Sequence, residues 1–227
     1  MVNIVLGHVG LGSVIFSGQQ TLAETAFSSA VGDARATQII YALNQHVSER
    51  IAEGVLGDSL PHPYSYRLNP ISKQLANPDL GTELCAYFSR AAEFFEEVDA
   101  LPHVMGHGFA HHFNFTFDKT DGWTALNVNG FDAPAAAQYA NAVGHNPYWP
   151  DQYPDAPVIT LDQNRFNARV DQTAALTHTD AGLVAKAFYV EAACTMARRV
   201  DGTPVGQVAM DYFKQMADLS LNKLKLG

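Results

Sequence analysis

Charge is scarce in this chain. Only 16% of its 227 residues are Asp, Glu, Lys or Arg, against roughly a quarter in an ordinary soluble domain. So little polar material coats a lone globule poorly, and the composition points to a homo-oligomer that hides part of its surface. Basic residues are scarcest: 14 Lys plus Arg face 23 Asp plus Glu, a net charge of −9. A nucleic-acid surface needs clustered cations to displace counterions. The densest basic groups, Arg198-Arg199 and Lys223 with Lys225, fall near expected helix C-termini, where positive charge suits the helix dipole. Nucleic acid is therefore not an expected partner.

Cysteine is nearly absent as well. Cys85 and Cys194 are too few and too far apart for a disulfide framework, which predicts a reduced, cytoplasmic setting. No apolar run is long enough for a membrane span. The opening "MVNIVLGHVGLGSVIFSG" is apolar but glycine-rich, and it has no basic stretch of the kind that begins an export signal.

Several motifs are missing by one residue type. H-E-x-x-H chemistry needs Glu after the first His, but Val104 and Gly108 stand there, so a zinc peptidase is unsupported. No paired E-x-x-H exists for a di-iron bundle, and no G-x-S-x-G for a serine nucleophile. Gly7, Gly10 and Gly12 stand in the wrong order for a dinucleotide fingerprint. "HTD" at 178–180 has the spacing of a non-haem iron site, but no later histidine completes it.

What is present is helical periodicity. Residues 19–54 read as a helix broken at Gly32-Asp33, with Ile39, Ile40, Leu43, Val47 and Ile51 on one face and Gly54 and Gly57 ending it. Residues 58–79 contain four prolines and read as a long loop. A helix over 82–100 follows, capped by Thr82 or Asp79. Pro102 breaks or restarts it. The alternation of Phe113, Phe115 and Phe117 has a strand's period of two and predicts a β-hairpin over 113–128. Helices over 133–143, 162–177, 181–199 and 204–224 complete the chain, the last with Thr203 as cap and Pro204 in its first turn. The expected fold is mainly α: a helical, bundle-like single domain spanning 1–227, with one small hairpin.

The conspicuous local feature is "LPHVMGHGFAHHFNF", which puts His103, His107, His111 and His112 into ten positions. On a helix, residues four apart share a face. His103, His107 and His111 would form a ladder, and two adjacent rungs could chelate one ion. Neutral imidazole suits iron or zinc, and two His with one carboxylate leave positions open for chemistry. Glu191, in the apolar run "AKAFYVEAACTM", is the preferred carboxylate, because a buried glutamate needs a partner. Other possible ligands are Glu93, Glu96, Glu97, Asp99, His145, His178 and Asp180. Gly106 and Gly108 bracket His107 and imply close backbone approach, either to a flat cofactor or to a neighbouring helix.

Three readings follow. The first is a metal-dependent protein, an oxidoreductase or hydrolase acting on a small-molecule substrate, with His103, His107, His111 and Glu191 as ligands and Glu191 or Asp180 as base. The second is a haem-binding helical protein with His107 as axial ligand. The third is a non-catalytic assembly protein whose histidines are structural.

Overall fold

The computed structural model describes residues 3–6, 20–21, 30–108, 114–118, 122–144, 162–200 and 204–226. The chain is mainly α, as the periodicity predicts. Helix α1 (Ala30–Ala52) runs without a break at Gly32-Asp33 and buries Ile40, Leu43 and Val47. Gly54 and Gly57 end it with φ of +89° and +58°, left-handed values that glycine adopts without a Cβ clash.

The proline-rich stretch is the first correction, because it is not a long loop. Short strand β3 (His62–Pro63) leads into a 3-10 turn at Tyr64–Arg67 and then helix α2 (Leu68–Leu75). Pro70 sits in the first turn of α2, where a missing N–H costs nothing. The turn carries Tyr64 and Arg67 into the core, and α2 adds Ile71.

Helix α3 (Thr82–Asp99) buries Phe88, Ala91, Phe94, Phe95 and Val98. Its N-cap is Gly81, with no side-chain capping bond, so neither Thr82 nor Asp79 plays that part. After Pro102 the chain becomes strand β4 (His103–Gly106), which corrects the expected helix through the histidines. Proline biases the residue before it away from the α region, and glycines at 106 and 108 weaken any helix that would follow.

The hairpin forms as predicted. Strand β5 (Phe115–Asp118) pairs antiparallel with β6 (Gly122–Val128), Phe115 opposite Ala125 and Asp118 opposite Gly122. It is part of a larger assembly than one hairpin. Strands β1 (Asn3–Leu6) and β2 (Gln20–Thr21) complete a four-stranded sheet in the order β1-β6-β5-β2. Beyond the Gly130 turn (φ +72°), β7 (Phe131–Pro134) centres a second sheet, β3-β7-β4. Two-residue strands carry no readable alternation, so the sequence pattern misses them.

Helix α4 (Ala135–Gly144) follows β7 directly. Helices α5 (Gln163–Thr177), α6 (Ala181–Arg198) and α7 (Pro204–Leu226) lie within two residues of their predicted bounds. Thr203 and the 144–157 segment fall outside the described residues, apart from Gly144. Helix α6 is the hub, packed against α3, α4 and α7 as well as α2 and α5. Its run of Ala185, Ala187, Ala192, Ala193 and Ala197, all buried, lets neighbours approach closely. One continuous apolar cluster joins these helices to Phe115, Ala125 and Val128 of one sheet and to Phe131 and Ala133 of the other. No described helix is long and apolar enough to cross a membrane.

Candidate functional site

Five of the buried polar residues, Asn44, Arg67, His107, Gln138 and Glu191, converge on the turn after β4. Arg67 comes in from the 3-10 turn and Glu191 from the middle of α6. The Arg67 Nε donates to Glu191 Oε1 at 2.7 Å, with the two side chains only 2% and 5% exposed. The Arg67 Nη2 also donates to the Gly108 carbonyl at 3.0 Å, and the guanidinium lies 4.6 Å from the Phe131 ring centroid. Burial by itself would lower the Arg67 pKa, but the adjacent Glu191 carboxylate more than offsets this, and the guanidinium is held charged. Tyr64 stacks on Phe95 at 4.8 Å, and its hydroxyl is sealed in without a hydrogen-bond partner among the described residues. Burial, aided by Glu191, raises the Tyr64 pKa. Cys194, one turn beyond Glu191, is pushed up to about 11, chiefly by burial and then by Glu191. It is therefore a thiol and a poor nucleophile at neutral pH.

Glu191 has the partner that a buried glutamate requires, and that partner is an arginine. The expected partner was a metal or a histidine; Arg67 supplies the charge instead, from a segment that is helical and not a loop. The signal was present: Tyr64, Leu68, Ile71 and Leu75 recur at helical spacing.

His107 lies just past β4, fully buried, its ring edge-on to Phe115 at 5.1 Å. Its backbone N–H donates to Asn44 Oδ1 at 3.0 Å, and its carbonyl accepts from Asn129 N–H at 3.3 Å. Burial lowers the His107 pKa to about 4, opposed only in part by hydrogen bonds to the backbone near Leu126 and Asn114. The ring is neutral at physiological pH. The neighbour that Gly106 makes room for is Gln138 of α4: a Cβ at 106 would sit 1.5 Å from Gln138 Oε1. That amide donates to the Val104 carbonyl at 2.6 Å and accepts from Asn44 Nδ2 at 3.1 Å. Asn44, Gln138 and Arg67 thus pin the β4 turn from three sides. Gly108, at φ +87°, takes a conformation unfavourable to any side chain with a Cβ.

The other predicted site residues do not join this centre. Across an extended strand the His103 and His107 Cα atoms stand roughly 13 Å apart, not one helical turn. His103 is a third exposed at the surface, its Nδ1 3.3 Å from Asp132 Oδ1 and its Nε2 3.4 Å from Asp99 Oδ1. The two carboxylates face opposite ring nitrogens and so do not converge on one ion. Asp180 caps α6, its Oδ1 accepting from Gly182 N–H at 2.8 Å and Leu183 N–H at 3.2 Å. His178 ends α5 in the left-handed region, at φ +51°. His111, His112 and His145 lie outside the described residues. Among the described residues, no three His, Cys, Asp or Glu side chains form a group able to hold a metal ion.

On the far side of α6, helices α3, α6 and α7 leave an open cleft of about 630 Å³. Its floor is aromatic, with Phe94 edge-on to Tyr189 at 5.2 Å and Tyr87 stacked on Tyr189 at 6.2 Å. The Tyr189 hydroxyl donates to the Tyr87 carbonyl at 3.2 Å. Set against known protein families, characterised proteins and solved structures, the chain matches none.

Proposed function

We propose that this chain acts by binding a small organic molecule, and that its buried His107–Arg67–Glu191 centre is a structural element and not a reaction centre. The Arg67–Glu191 pair carries the structural half of this reading. A carboxylate that ligates a metal or serves as a base must be able to turn to its ion or substrate. Glu191 instead meets a fixed cation at 2.7 Å with both groups out of water, and separating such a pair leaves two uncompensated buried charges. His107, neutral and packed against Phe115, serves the same end by fixing the turn that Arg67 grips through Gly108. The binding half is supported by the cleft beside α6, about 630 Å³, a size usual for small-ligand sites.

Elemental analysis of the purified chain tests the reading. Less than about one-tenth of an iron or zinc per chain is the expected result, with no Soret band. About one metal per chain, lost on His107→Ala, would restore the metal-dependent reading, and a Soret band would restore the haem one. Self-association in the cytoplasm belongs to the same proposal. It is supported by the low charge content, two free cysteines and the exposed apolar side chains of Leu60, Tyr66, Val104 and Val200. Cell fractionation followed by gel filtration of the same material checks both points, a clean monomer at micromolar concentration being the adverse result.

A further inference from the structure

We propose that the cleft between α3, α6 and α7 binds a small amphipathic carboxylate, an apolar chain or ring carrying one acid group. The inference rests on the reading that the chain binds a small molecule, and it specifies the ligand's chemistry. Acids outnumber bases in this chain, 23 to 14, yet the residues lining the cleft include Arg90, Lys186 and Lys225 and not one carboxylate. The floor beneath them is apolar, with Phe94 and Tyr189 buried and Leu221 and Leu224 half-buried along the α7 wall. A ligand that satisfies both features needs an apolar body and a negative head.

The cations stand where such a head would lie. The Arg90 guanidinium and the Lys186 ammonium sit 5.8 Å and 5.3 Å from the Phe94 ring centroid, on the ring that forms the floor. Both have partners on α3 outside the cleft lining: Arg90 meets Glu93 at 3.6 Å, and Lys186 meets Glu97. Arg90–Glu93 is a surface pair with both side chains more than half exposed, and Lys186, itself 20% exposed, pairs with a half-exposed Glu97. Pairs of that kind contribute little, so a cation can turn to an incoming carboxylate at small cost. Asp218, the nearby acid of α7, accepts from the Tyr87 hydroxyl. Lys225 has no carboxylate partner among the described residues and is exposed at the end of α7. A neutral ligand would use the floor and leave the cations idle, and a cationic one would meet Lys225, unpaired among the described residues, and would have no carboxylate in the lining to receive it.

Isothermal titration calorimetry of the full chain with octanoate, octan-1-ol and octyltrimethylammonium, each below its micelle concentration, tests this. Octanoate is expected to bind one per chain and at least about tenfold tighter than octan-1-ol, the discrimination a charge-assisted hydrogen bond supplies. The ammonium probe is expected not to bind. Arg90→Gln with Lys225→Gln should weaken octanoate about fivefold or more, leaving octan-1-ol and the unfolding midpoint unchanged. Leu224→Trp, which fills the floor, should abolish both. No octanoate binding, equal affinity for the three probes, or an octanoate affinity indifferent to the double variant would overturn the proposal. Equal affinity for the three probes would overturn the carboxylate preference and leave the small-molecule reading standing, whereas no binding of any probe would fail both, so the two failures are told apart.

Discussion

Helix α6 presents opposite-signed charges to two very different surroundings. Lys186 and Glu191 are five residues apart, about 140° around the helix. Glu191 points into a sealed interior and is matched to Arg67 with all but 5% of its side-chain surface removed. Lys186 looks onto the open cleft, where its ion pair with a half-exposed Glu97 is wet. In the interior, the penalty for an unmatched charge is severe, so pairing is obligatory and the pair belongs to the fold. At the cleft, the half-exposed Glu97 leaves the pair partly screened by water, so exchanging partners costs less there than in the interior. The same helix is a structural hub on one face and lines an open cleft, the proposed binding site, on the other.

The largest effect that sharpens this contrast comes from breaking the closed pair. Glu191→Gln should cost about 3–5 kcal/mol, the usual penalty for orphaning a buried charge, read as a fall in the urea midpoint. Arg67→Met with Glu191→Leu should recover most of that loss. If the single variant costs no more than a surface pair, the interior is wetter than the geometry implies and the contrast fails.

The next effect is titration of the closed side. The folded His107 pKa of about 4 lies below the ordinary value near 6.5. The unfolded chain therefore binds more protons between those values, and stability falls as pH drops from about 6.5 toward 4. The depression corresponds to about 3 kcal/mol at most. Denaturant melts across that range should show the parent losing stability relative to His107→Gln. A parent and variant with parallel profiles would place a charged or solvated ring at 107.

The smallest effect concerns Asp180, which the sequence marked as a possible base. Asp180→Ala should cost about 1 kcal/mol, the worth of a helix cap, and should leave octanoate affinity unchanged. A change in affinity would extend the binding wall to the start of α6.

Much of the helical scaffold is legible in the sequence, because α3 and α7 repeat apolar residues at helical spacing and α6 is a mostly apolar run too long for a strand. Strand β4 is not: four residues carry no decisive period, and reading His103 and His107 as rungs of one helix depended on a periodicity that Pro102, Gly106 and Gly108 undermine. Glu191 was recognisable as a buried acid needing a partner. Arg67 was hidden among prolines, and Asn44 and Gln138 look like ordinary polar positions on helices. Their meaning is relational. Asn44 matters because Gln138 Oε1 and the His107 N–H both reach it, from positions 94 and 63 residues away.

The sequence by itself determined the helical class, the hairpin and the demand that Glu191 be compensated, since propensity, periodicity and the cost of burying charge act locally or on a single residue. Only the tertiary structure decided who compensates it, that His103 and His107 part company along a strand, and that Arg90 and Lys186 meet over one aromatic ring. Those outcomes depend on which distant segments meet, and contact across a core is set by the packing of the whole chain, which no short window encodes.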